Sequence, residues 1–237
     1  MSSPEISIKF AAAPSSGTAE LLAGEISGAS VISHGLRCGE LITLPSDERA
    51  VPIILICRGH AEINGISCDG RGVLAFSPGT EINVRVVSDC VIIEIRYVIN
   101  EGESLSPGKL PYFVRYGEAV RYREDCKSEK TVSRMLLSEG IIPGIALGSV
   151  ETYGKDAVEP HRHPYCDQLF FSFEENDMEV LIDGSRVHMG GNMLLHIPLG
   201  STHGVDVREG GCAHYVWIDF IIDERGIEYM NSAHEKI

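Results

Sequence analysis

The two halves of the chain repeat a hairpin signal, a glycine and a proline–glycine turn in the same order. The first half contains Glu62-Ile-Asn-Gly65, then Gly72, then Phe76-Ser-Pro-Gly79. The second contains Leu181-Ile-Asp-Gly184, then Gly191, then His196-Ile-Pro-Leu-Gly200. In both halves seven positions separate the first two glycines, and the halves are offset by 119 residues. A turn, a strand and a second turn that recur in order indicate a duplicated β domain, although the spacing slips by one residue before the prolines.

Short β-branched runs separated by turn residues predict strands and an all-β sandwich or barrel. The clearest runs are Val51–Ile56, Ile82–Val87, Val91–Tyr97, Met178–Ile182, Met193–Ile197 and Tyr215–Ile222. Helical periodicity occurs in Thr131–Glu139, where Val132, Met135 and Leu136 are apolar and Gly140 follows as a stop signal. Asn100–Pro111 is polar with two prolines and predicts a linker, with irregular chain continuing to about residue 126.

The charge balance restricts the possible partners. Lys and Arg number 20 against 34 Asp and Glu, so the net charge is −14 with neutral histidine. Proteins bind nucleic acid through a basic face that displaces counterions, and this chain has no excess of basic residues to form one. Anionic membrane surfaces are disfavoured for the same reason. The longest apolar run, Val51–Cys57, is far too short for a spanning helix.

The N-terminal residues and the cysteines favour a cytoplasmic location. Residues 1–9 show no basic segment followed by an apolar core, so we expect no export signal. The seven cysteines are scattered without a CxxC pair, unlike a disulfide scaffold or a zinc ribbon. Isolated thiols of this kind are typical of buried side chains in a reducing compartment.

One short stretch carries most of the candidate chemistry. His161 and His163 are two residues apart, so in a strand both imidazoles point to one face. Pro164 cannot donate to a strand ladder and is expected to interrupt the alternation. After such an interruption either Gln168 or Asp167 returns to the face of the histidines, and strict parity favours Asp167.

A third histidine follows a tight turn further along the chain. His203 comes three residues after Gly200 in the sequence Pro198-Leu-Gly200-Ser-Thr-His203. Two strand histidines, a turn histidine and an oxygen donor predict a mononuclear site for one divalent transition metal. Neutral imidazole suits iron, manganese, nickel, copper and zinc, and the sequence does not choose among them.

These two motifs together resemble those of the cupin superfamily. Its first motif contains HxH followed by a carboxylate, and its second contains PxG with a histidine after two further residues. The resemblance covers about 131–222 by motif and, through the repeat, about 50–99. It implies an all-β bicupin of two double-stranded β-helix, jelly-roll-like barrels with one or two short helices. The implied domains are a degenerate N-terminal cupin over 1–110 and a metal-binding C-terminal cupin over 111–237.

The resemblance assigns the metal-ligand role to His161, His163, Gln168 and His203. Gln168 stands where the family usually has glutamate, so all four implied ligands are neutral. The first half contains no HxH motif, and Ile82 stands where the second half has His203. Since isoleucine cannot bind a metal, we expect the first half to be structural.

Any reaction at such a site needs an acid or a base, and the candidates are Tyr165, Asp167 and His196. Trp217 and Asp219, like Tyr165, lie on segments that are expected to line the barrel and contact a substrate. The remaining histidines of the second half, at positions 188 and 214, are expected at the surface. The isolated histidines at positions 34 and 60 are expected at the surface or hydrogen-bonded in the core.

Four neutral ligands leave the metal's double positive charge uncompensated, which favours a small, oxygen-rich and anionic substrate. The similarity to cupin dioxygenases that use three histidines favours dioxygenase chemistry over non-redox lyase or isomerase chemistry. The alternative is a bicupin that binds or senses a small ligand without turnover. An all-β chain with exposed edge strands also has a physical reason to form a homodimer.

Overall fold

Antiparallel strands dominate the structure, a computed structural model that describes residues 8–124, 126–223, 225, 226, 228 and the backbone of 235–236. The strands of the first half are β1 (Phe10–Ala12), β2 (Gly17–Leu21), β3 (Ala29–Leu36), β4 (Leu41–Leu44), β5 (Ala50–Ile63), β6 (Ile66–Asp69), β7 (Gly72–Ala75), β8 (Ile82–Val98) and β9 (Tyr112–Arg115). A 3₁₀ helix, Tyr116–Glu118, follows. The later strands are β10 (Val120–Arg123), β11 (Val132–Leu137), β12 (Ile145–Tyr153), β13 (Asp156–His161), β14 (Cys166–Ser172), β15 (Met178–Ile182), β16 (Ser185–Met189), β17 (Met193–Ile197), β18 (His203–Val207), β19 (Cys212–Ile221) and β20 (Glu235–Lys236). The predicted all-β fold is confirmed.

Three sheets organise these strands. The first half forms a sheet of order β2-β3-β8-β5-β7-β9, with β4 also paired to β8 and β6 to β5. The second half forms one sheet of order β1-β17-β14-β19-β12-β11-β10-β20 and another of order β13-β18-β15-β16. Strand β1 (10–12) pairs with β17, and β9 (112–115), which follows residue 110, pairs with β7. Strand pairing therefore crosses the predicted domain boundary after residue 110 in both directions, and that boundary stays a prediction.

The predicted strands correspond to observed ones, but two of them are parts of a single strand. Ile82–Val87 and Val91–Tyr97 both belong to β8, which pairs with β5 along most of its length. The register between β5 and β8 shifts between Ile56 and Ala61, where β5 bends as strands do at bulges. Gly59 lies at this bend with φ of 88°, and a Cβ there would lie 2.2 Å from the carbonyl oxygen of Asp89. Both the backbone conformation and the close approach therefore require glycine.

The predicted helix over 131–139 is wrong, because Val132–Leu137 form β11 between β10 and β12. The register of β11 shifts between Met135 and Leu137, as it does at a β-bulge. Leu136 and Leu137 are consequently both fully buried although they are neighbours. The bulge interrupts the strand alternation and produces the apolar spacing that resembles a helix.

The polar linker over Asn100–Pro111 is confirmed as a segment without regular structure. The expectation of irregular chain up to residue 126 is wrong, since β9, the 3₁₀ helix and β10 lie within it. These short elements have few β-branched residues and depend on pairing with β7 and β11. The partner of β9 lies about 40 residues earlier in the sequence, so no local pattern indicates that strand.

The two hairpins of the repeat have the same turn geometry. Asn64 and Gly65, between β5 and β6, have φ of 47° and 81°, whereas Asp183 and Gly184, between β15 and β16, have φ of 46° and 83°. Two central residues with positive φ are typical of the tight turns that suit β-hairpins. The two turns that the sequence repeat predicts therefore share one backbone geometry.

Hydrogen bonds to these turns align the two halves residue by residue. In the first half the side-chain oxygen of Asn64 accepts a hydrogen bond from the backbone N–H of Asn83 at 2.8 Å. In the second half the side chain of Asp183 accepts one from the backbone N–H of Thr202 at 2.9 Å. Asn83 is therefore equivalent to Thr202, and Val84 is equivalent to His203. The sequence spacing had made Ile82, and not Val84, the equivalent of His203. Ile82 and Val84 are both apolar and buried, so neither offers a metal ligand.

The buried side chains form three clusters, one within each half and one shared between the halves. Neighbours along a strand point to opposite faces, so each long strand contributes to two clusters. In β14, Phe170 packs within the second half, whereas Leu169 and Phe171 pack in the shared cluster. The same alternation directs Gln168 into the second half and Asp167 away from it.

Candidate metal centre

Three histidines converge within the second half. The potential ligand atoms of His161, His163 and His203 all lie within 4.8 Å of one another. The imidazole ring centroids are 4.7 to 5.4 Å apart. Within the described part of the chain, this is the one group of three or more potential metal-ligating side chains at such distances. The group can hold a single metal ion.

Strand ends and turns place these histidines. His161 is the last residue of β13 and lies opposite His203, the first residue of β18. The register between these strands shifts next to Pro160, which has no N–H to donate to the ladder. His163 lies in the turn that follows. The convergence therefore depends on the end of β13 as well as on the alternation that the sequence suggested.

Backbone carbonyls orient two of the imidazoles. His161 Nδ1 donates to the carbonyl of Glu159 at 2.8 Å, and His203 Nδ1 donates to that of Ser201 at 3.2 Å. With the proton on Nδ1, Nε2 is the atom of each ring that carries the lone pair and would bind a metal. Burial and, to a smaller extent, the nearby His161 lower the pKa of His203 to about 3. His203 is thus neutral at physiological pH, which is the form that binds metals.

Gln168 contributes an oxygen donor beside the histidines. It lies in β14 directly opposite Asp219 of β19, and both side chains are buried. Its Nε2 donates to Asp219 Oδ1 at 2.5 Å, which fixes the orientation of the amide. Gln168 Oε1 and His203 Nε2 are buried, and neither has a hydrogen-bond partner among the described residues. Two buried acceptors without a donor are costly unless a cation binds them, so these residues fit a metal ion.

A small cavity of about 30 Å³ adjoins these ligands. One water molecule needs about 10–15 Å³ of such space, so the cavity has room for about two groups of that size. Trp217 and Asp219 line it, as the sequence predicted. Phe170 and Tyr215 add apolar surface, and their rings pack at a centroid distance of 4.7 Å.

The three predicted acid–base residues lie elsewhere. Asp167 accepts a 2.7 Å hydrogen bond from His196 Nε2, and Glu25 Oε2 lies 3.2 Å from His196 Nδ1. Tyr165 lies in the turn before β14, where the guanidinium of Arg225 stacks 4.6 Å from the centre of its ring. None of the three lines the cavity. The structure therefore brings Gln168, and not Asp167, to the histidines, because the alternation of β14 points Asp167 to the opposite face.

Sequence reasoning missed two ionisable residues that line the cavity, Glu124 and Lys127. They form an ion pair in which the Lys127 side chain is only 7% exposed and that of Glu124 11%. Lys127 Nζ also donates to Ser133 Oγ at 3.2 Å. Burial lowers the pKa of Lys127 to about 7, and the charge of Asp219 opposes this effect. Glu124 lies in, and Lys127 directly after, the stretch up to about residue 126 that is expected to be irregular, and no spacing in the sequence relates them to the histidines.

The surface position predicted for His214 is wrong, whereas His188 is exposed as expected. His214 is buried between the halves, within 2.5 Å of Glu175 and 2.7 Å of the Tyr116 hydroxyl. Arg71 of the first half binds the same glutamate at 2.7 Å. These polar contacts join the two halves, and no local pattern in the sequence indicates such long-range pairing.

Comparisons with known proteins support the fold. No protein-family model matches the sequence, and no curated protein is similar enough to count as a match. A cupin 2 conserved barrel domain protein from Leptotrichia buccalis is 14% identical, with 94% of this chain and 92% of that chain covered and a TM-score of 0.58. The oxalate decarboxylase of Lactobacillus farciminis is 11% identical, with 87% and 81% covered and a TM-score of 0.67. Vicilin from Corylus avellana is 8% identical, with 91% and 84% covered and a TM-score of 0.66.

These similarities show that the chain has the cupin fold over most of its length. They do not choose an activity, because the same fold occurs in a decarboxylase and in a vicilin. That the first half is a degenerate cupin stays a prediction. No helix among the described residues is long and apolar enough to cross a membrane.

Proposed function

We propose that this protein is a metal-dependent enzyme that acts on a small, oxygen-rich anion. One divalent transition ion would be held by His161, His163, His203 and Gln168. The observation that carries the proposal is the pair of buried acceptors, Gln168 Oε1 and His203 Nε2, which lack a donor and belong to side chains lining one cavity. Imidazole nitrogens and an amide oxygen suit iron, manganese, nickel, copper or zinc.

The charge of the ligand set favours an anionic substrate. All four proposed ligands are neutral, and Asp219 approaches them through its hydrogen bond to Gln168. A carboxylate in that position would temper the charge of a bound ion. An anionic oxygen of the substrate would neutralise the remaining positive charge of the ion. When bound, the ion would act as a Lewis acid that polarises a substrate oxygen.

The buried acid–base pair favours catalysis over passive binding. Lys127 and Glu124 line the cavity beside the proposed ligands, and groups of this kind donate and accept protons in enzymes. Their presence supports proton-transfer chemistry of the lyase or isomerase type. The dioxygenase chemistry favoured by the sequence still rests on the resemblance to cupins that use three histidines. The identity of the metal helps to distinguish the two reaction classes, because iron would favour dioxygenase chemistry, whereas manganese or nickel would leave lyase and isomerase chemistry open.

The proposed setting of the enzyme is a homodimer in the cytoplasm with no nucleic-acid or membrane partner. All seven cysteines are free thiols, which suits a reducing compartment. The short edge strand β1 presents Phe10 with 55% of its surface exposed, and pairing of edge strands is one way to cover such a residue. Analytical ultracentrifugation tests the dimer, and a concentration-independent monomer would contradict it.

Elemental analysis of tag-free protein tests the metal centre. We expect close to one equivalent of a transition metal in the wild type and none in the double variant His161→Ala/His203→Ala. His188→Ala is the matched control, because His188 is exposed and lies outside the cluster. Wild-type protein that lacks metal and takes up none of the five candidate ions would overturn the proposal.

Deuterium exchange tests the catalytic part. The metal-loaded protein would be incubated in D₂O with a panel of small 2-oxo and 2-hydroxy carboxylates and followed by proton NMR. We expect loss or exchange of a substrate proton that stops when the metal is removed. Binding of these acids without any exchange or turnover would favour the ligand-binding alternative, and metal-dependent oxygen consumption would favour the dioxygenase.

A further inference from the structure

We propose that Lys127, held by Glu124, is the substrate-binding residue of the cavity and makes it selective for small monoanionic carboxylates. This inference rests on the proposed function, since it assigns a substrate class to the same metal centre. It concerns a segment between β10 and β11 that no sequence motif marks.

The backbone fixes Lys127 relative to the metal ligands. Lys127 forms a β-bridge with Val158 of β13, and the N–H of Glu159 donates to the carbonyl of Cys126 at 3.0 Å. Strand β13 ends at His161, the first proposed ligand. The backbone of Lys127 is therefore paired with the strand that carries His161, and this pairing holds the lysine on the same side of the cavity as that strand.

The ammonium group has a donor to spare for a ligand. An ammonium carries three N–H donors, and Ser133 Oγ and the Glu124 carboxylate take two of them. No other hydrogen-bond acceptor contacts the Lys127 side chain in the part of the chain that is described. Burial lowers the pKa of the lysine, and the charge of Asp219 favours the charged form against this effect. Because the side chain is buried and lines the cavity, the third donor is available to an anion there.

The charges around the cavity select a single negative charge. With Lys127 in its charged form, the lysine and a divalent ion together bring three positive charges, whereas the carboxylates of Glu124 and Asp219 bring two negative ones. One net positive charge remains in a buried space, and a monoanion neutralises it. A dianion would leave an uncompensated negative charge, which is costly away from water. Because the cavity is small, at about 30 Å³, it favours the smallest acids among the monoanions.

Calorimetric titrations test the inference with defined probes. Mn²⁺ is first titrated into chelator-treated wild type, Lys127→Met and Lys130→Met, where Lys130 is an exposed lysine of the same segment. Glycolate, a monoanion, and malonate, a dianion, are then titrated into the Mn²⁺-loaded proteins. Failure of the wild type to bind Mn²⁺ would refute the proposed metal centre itself. The titrations with the two acids address Lys127 separately.

We expect all three proteins to bind Mn²⁺, and Lys127→Met to lose glycolate affinity by about tenfold or more, the loss expected for a hydrogen bond to a charged group. Lys130→Met should match the wild type. Equal glycolate affinity in Lys127→Met and the wild type would overturn the inference.

Glu124→Gln gives an independent test if Lys127→Met fails to fold. Removal of the Glu124 charge raises the net charge of the loaded cavity by one unit. The preference should then shift from glycolate towards malonate by about tenfold. An unchanged preference between the two acids would contradict the charge argument.

Discussion

The side-chain amide of Gln168 donates a 2.5 Å hydrogen bond to Asp219, the residue directly opposite it in the neighbouring strand. This bond decides which end of the amide faces the histidines. The nitrogen is directed to the carboxylate, and the oxygen remains as the donor for a metal. A glutamine whose amide were free to rotate would present either atom, so Asp219 defines the fourth ligand.

Replacement of Asp219 should therefore weaken metal binding although Asp219 is not a proposed ligand. We expect Asp219→Asn to lower the affinity for Mn²⁺ by about 10- to 100-fold, as is typical when the partner of a metal ligand is changed. Asp167→Asn is the control, because Asp167 lies on the opposite face of β14 beside His196. Competition with a fluorescent chelator measures both affinities. Loss of metal in Asp167→Asn with retention in Asp219→Asn would reverse the assignment.

The wall of the cavity depends on a glycine. A Cβ at Gly148 would lie 2.1 Å from the Trp217 ring and 2.8 Å from the carbonyl oxygen of Arg134. Gly148→Ala should therefore displace Trp217 and lower the free energy of unfolding by about 1–3 kcal/mol. Trp217 is the only tryptophan of the chain, so its fluorescence reports the displacement directly. Gly117→Ala, where a Cβ would meet no atom within 4 Å, should change neither quantity.

A buried ion pair in the first half should give the protein a component of acid sensitivity. Burial raises the pKa of Glu94, but hydrogen bonds from His34 and Arg96 outweigh it and hold the pKa below the ordinary value. A lowered pKa in the folded state stabilises the protein above the unfolded-state pKa of Glu, and this stability is lost as the pH falls through the folded-state pKa.

Urea unfolding of chelator-treated protein between about pH 7 and pH 3 tests this prediction. Glu94→Gln should be less stable than the wild type at pH 7, and the difference should shrink as the pH falls. Glu101→Gln, at an exposed position of the linker, should follow the wild type at every pH. A difference between Glu94→Gln and the wild type that does not depend on pH would contradict the assignment.

Two arginines at the junction between the halves should contribute different amounts to the stability of the folded protein. Arg71 binds Glu175 at 2.7 Å and stacks on Phe173 at 4.0 Å, with 23% of its side chain exposed. Arg58 binds Glu174 at 2.9 Å, but both of these side chains are 46% exposed. We expect Arg71→Ala to lower the free energy of unfolding by about 1–3 kcal/mol and Arg58→Ala to lower it by less than about 1 kcal/mol. Chemical denaturation measures both, and equal costs would show that burial of the Arg71 pair adds nothing.

The sequence predicted most of the fold because its signals were local. β-branched runs marked the long strands, and the repeated turns marked the duplication. The helix prediction over 131–139 was wrong because the bulge in β11 interrupts the strand alternation at Leu136, and the resulting apolar spacing resembles that of a helix. The edge strands β1 and β9 were not predicted, since their partners β17 and β7 lie far away in the sequence.

The site was only partly predictable for a related reason. The motifs identified three histidines, but the path of the turn after Pro164 decides whether Asp167 or Gln168 faces them, and the residue types do not determine that path. Lys127 and Glu124 reach the cavity because their segment pairs with β13. That contact joins positions about 30 residues apart and leaves no periodic signal in the sequence.

The most direct test of the metal centre is an anomalous difference map from crystals of metal-loaded protein, recorded at the absorption edge of the metal. We predict a single peak at about 2.0–2.2 Å from an imidazole nitrogen of His161, His163 and His203 and from Gln168 Oε1. A peak beside Asp167 and His196, or no peak among the three histidines after soaking with each candidate ion, would contradict the account.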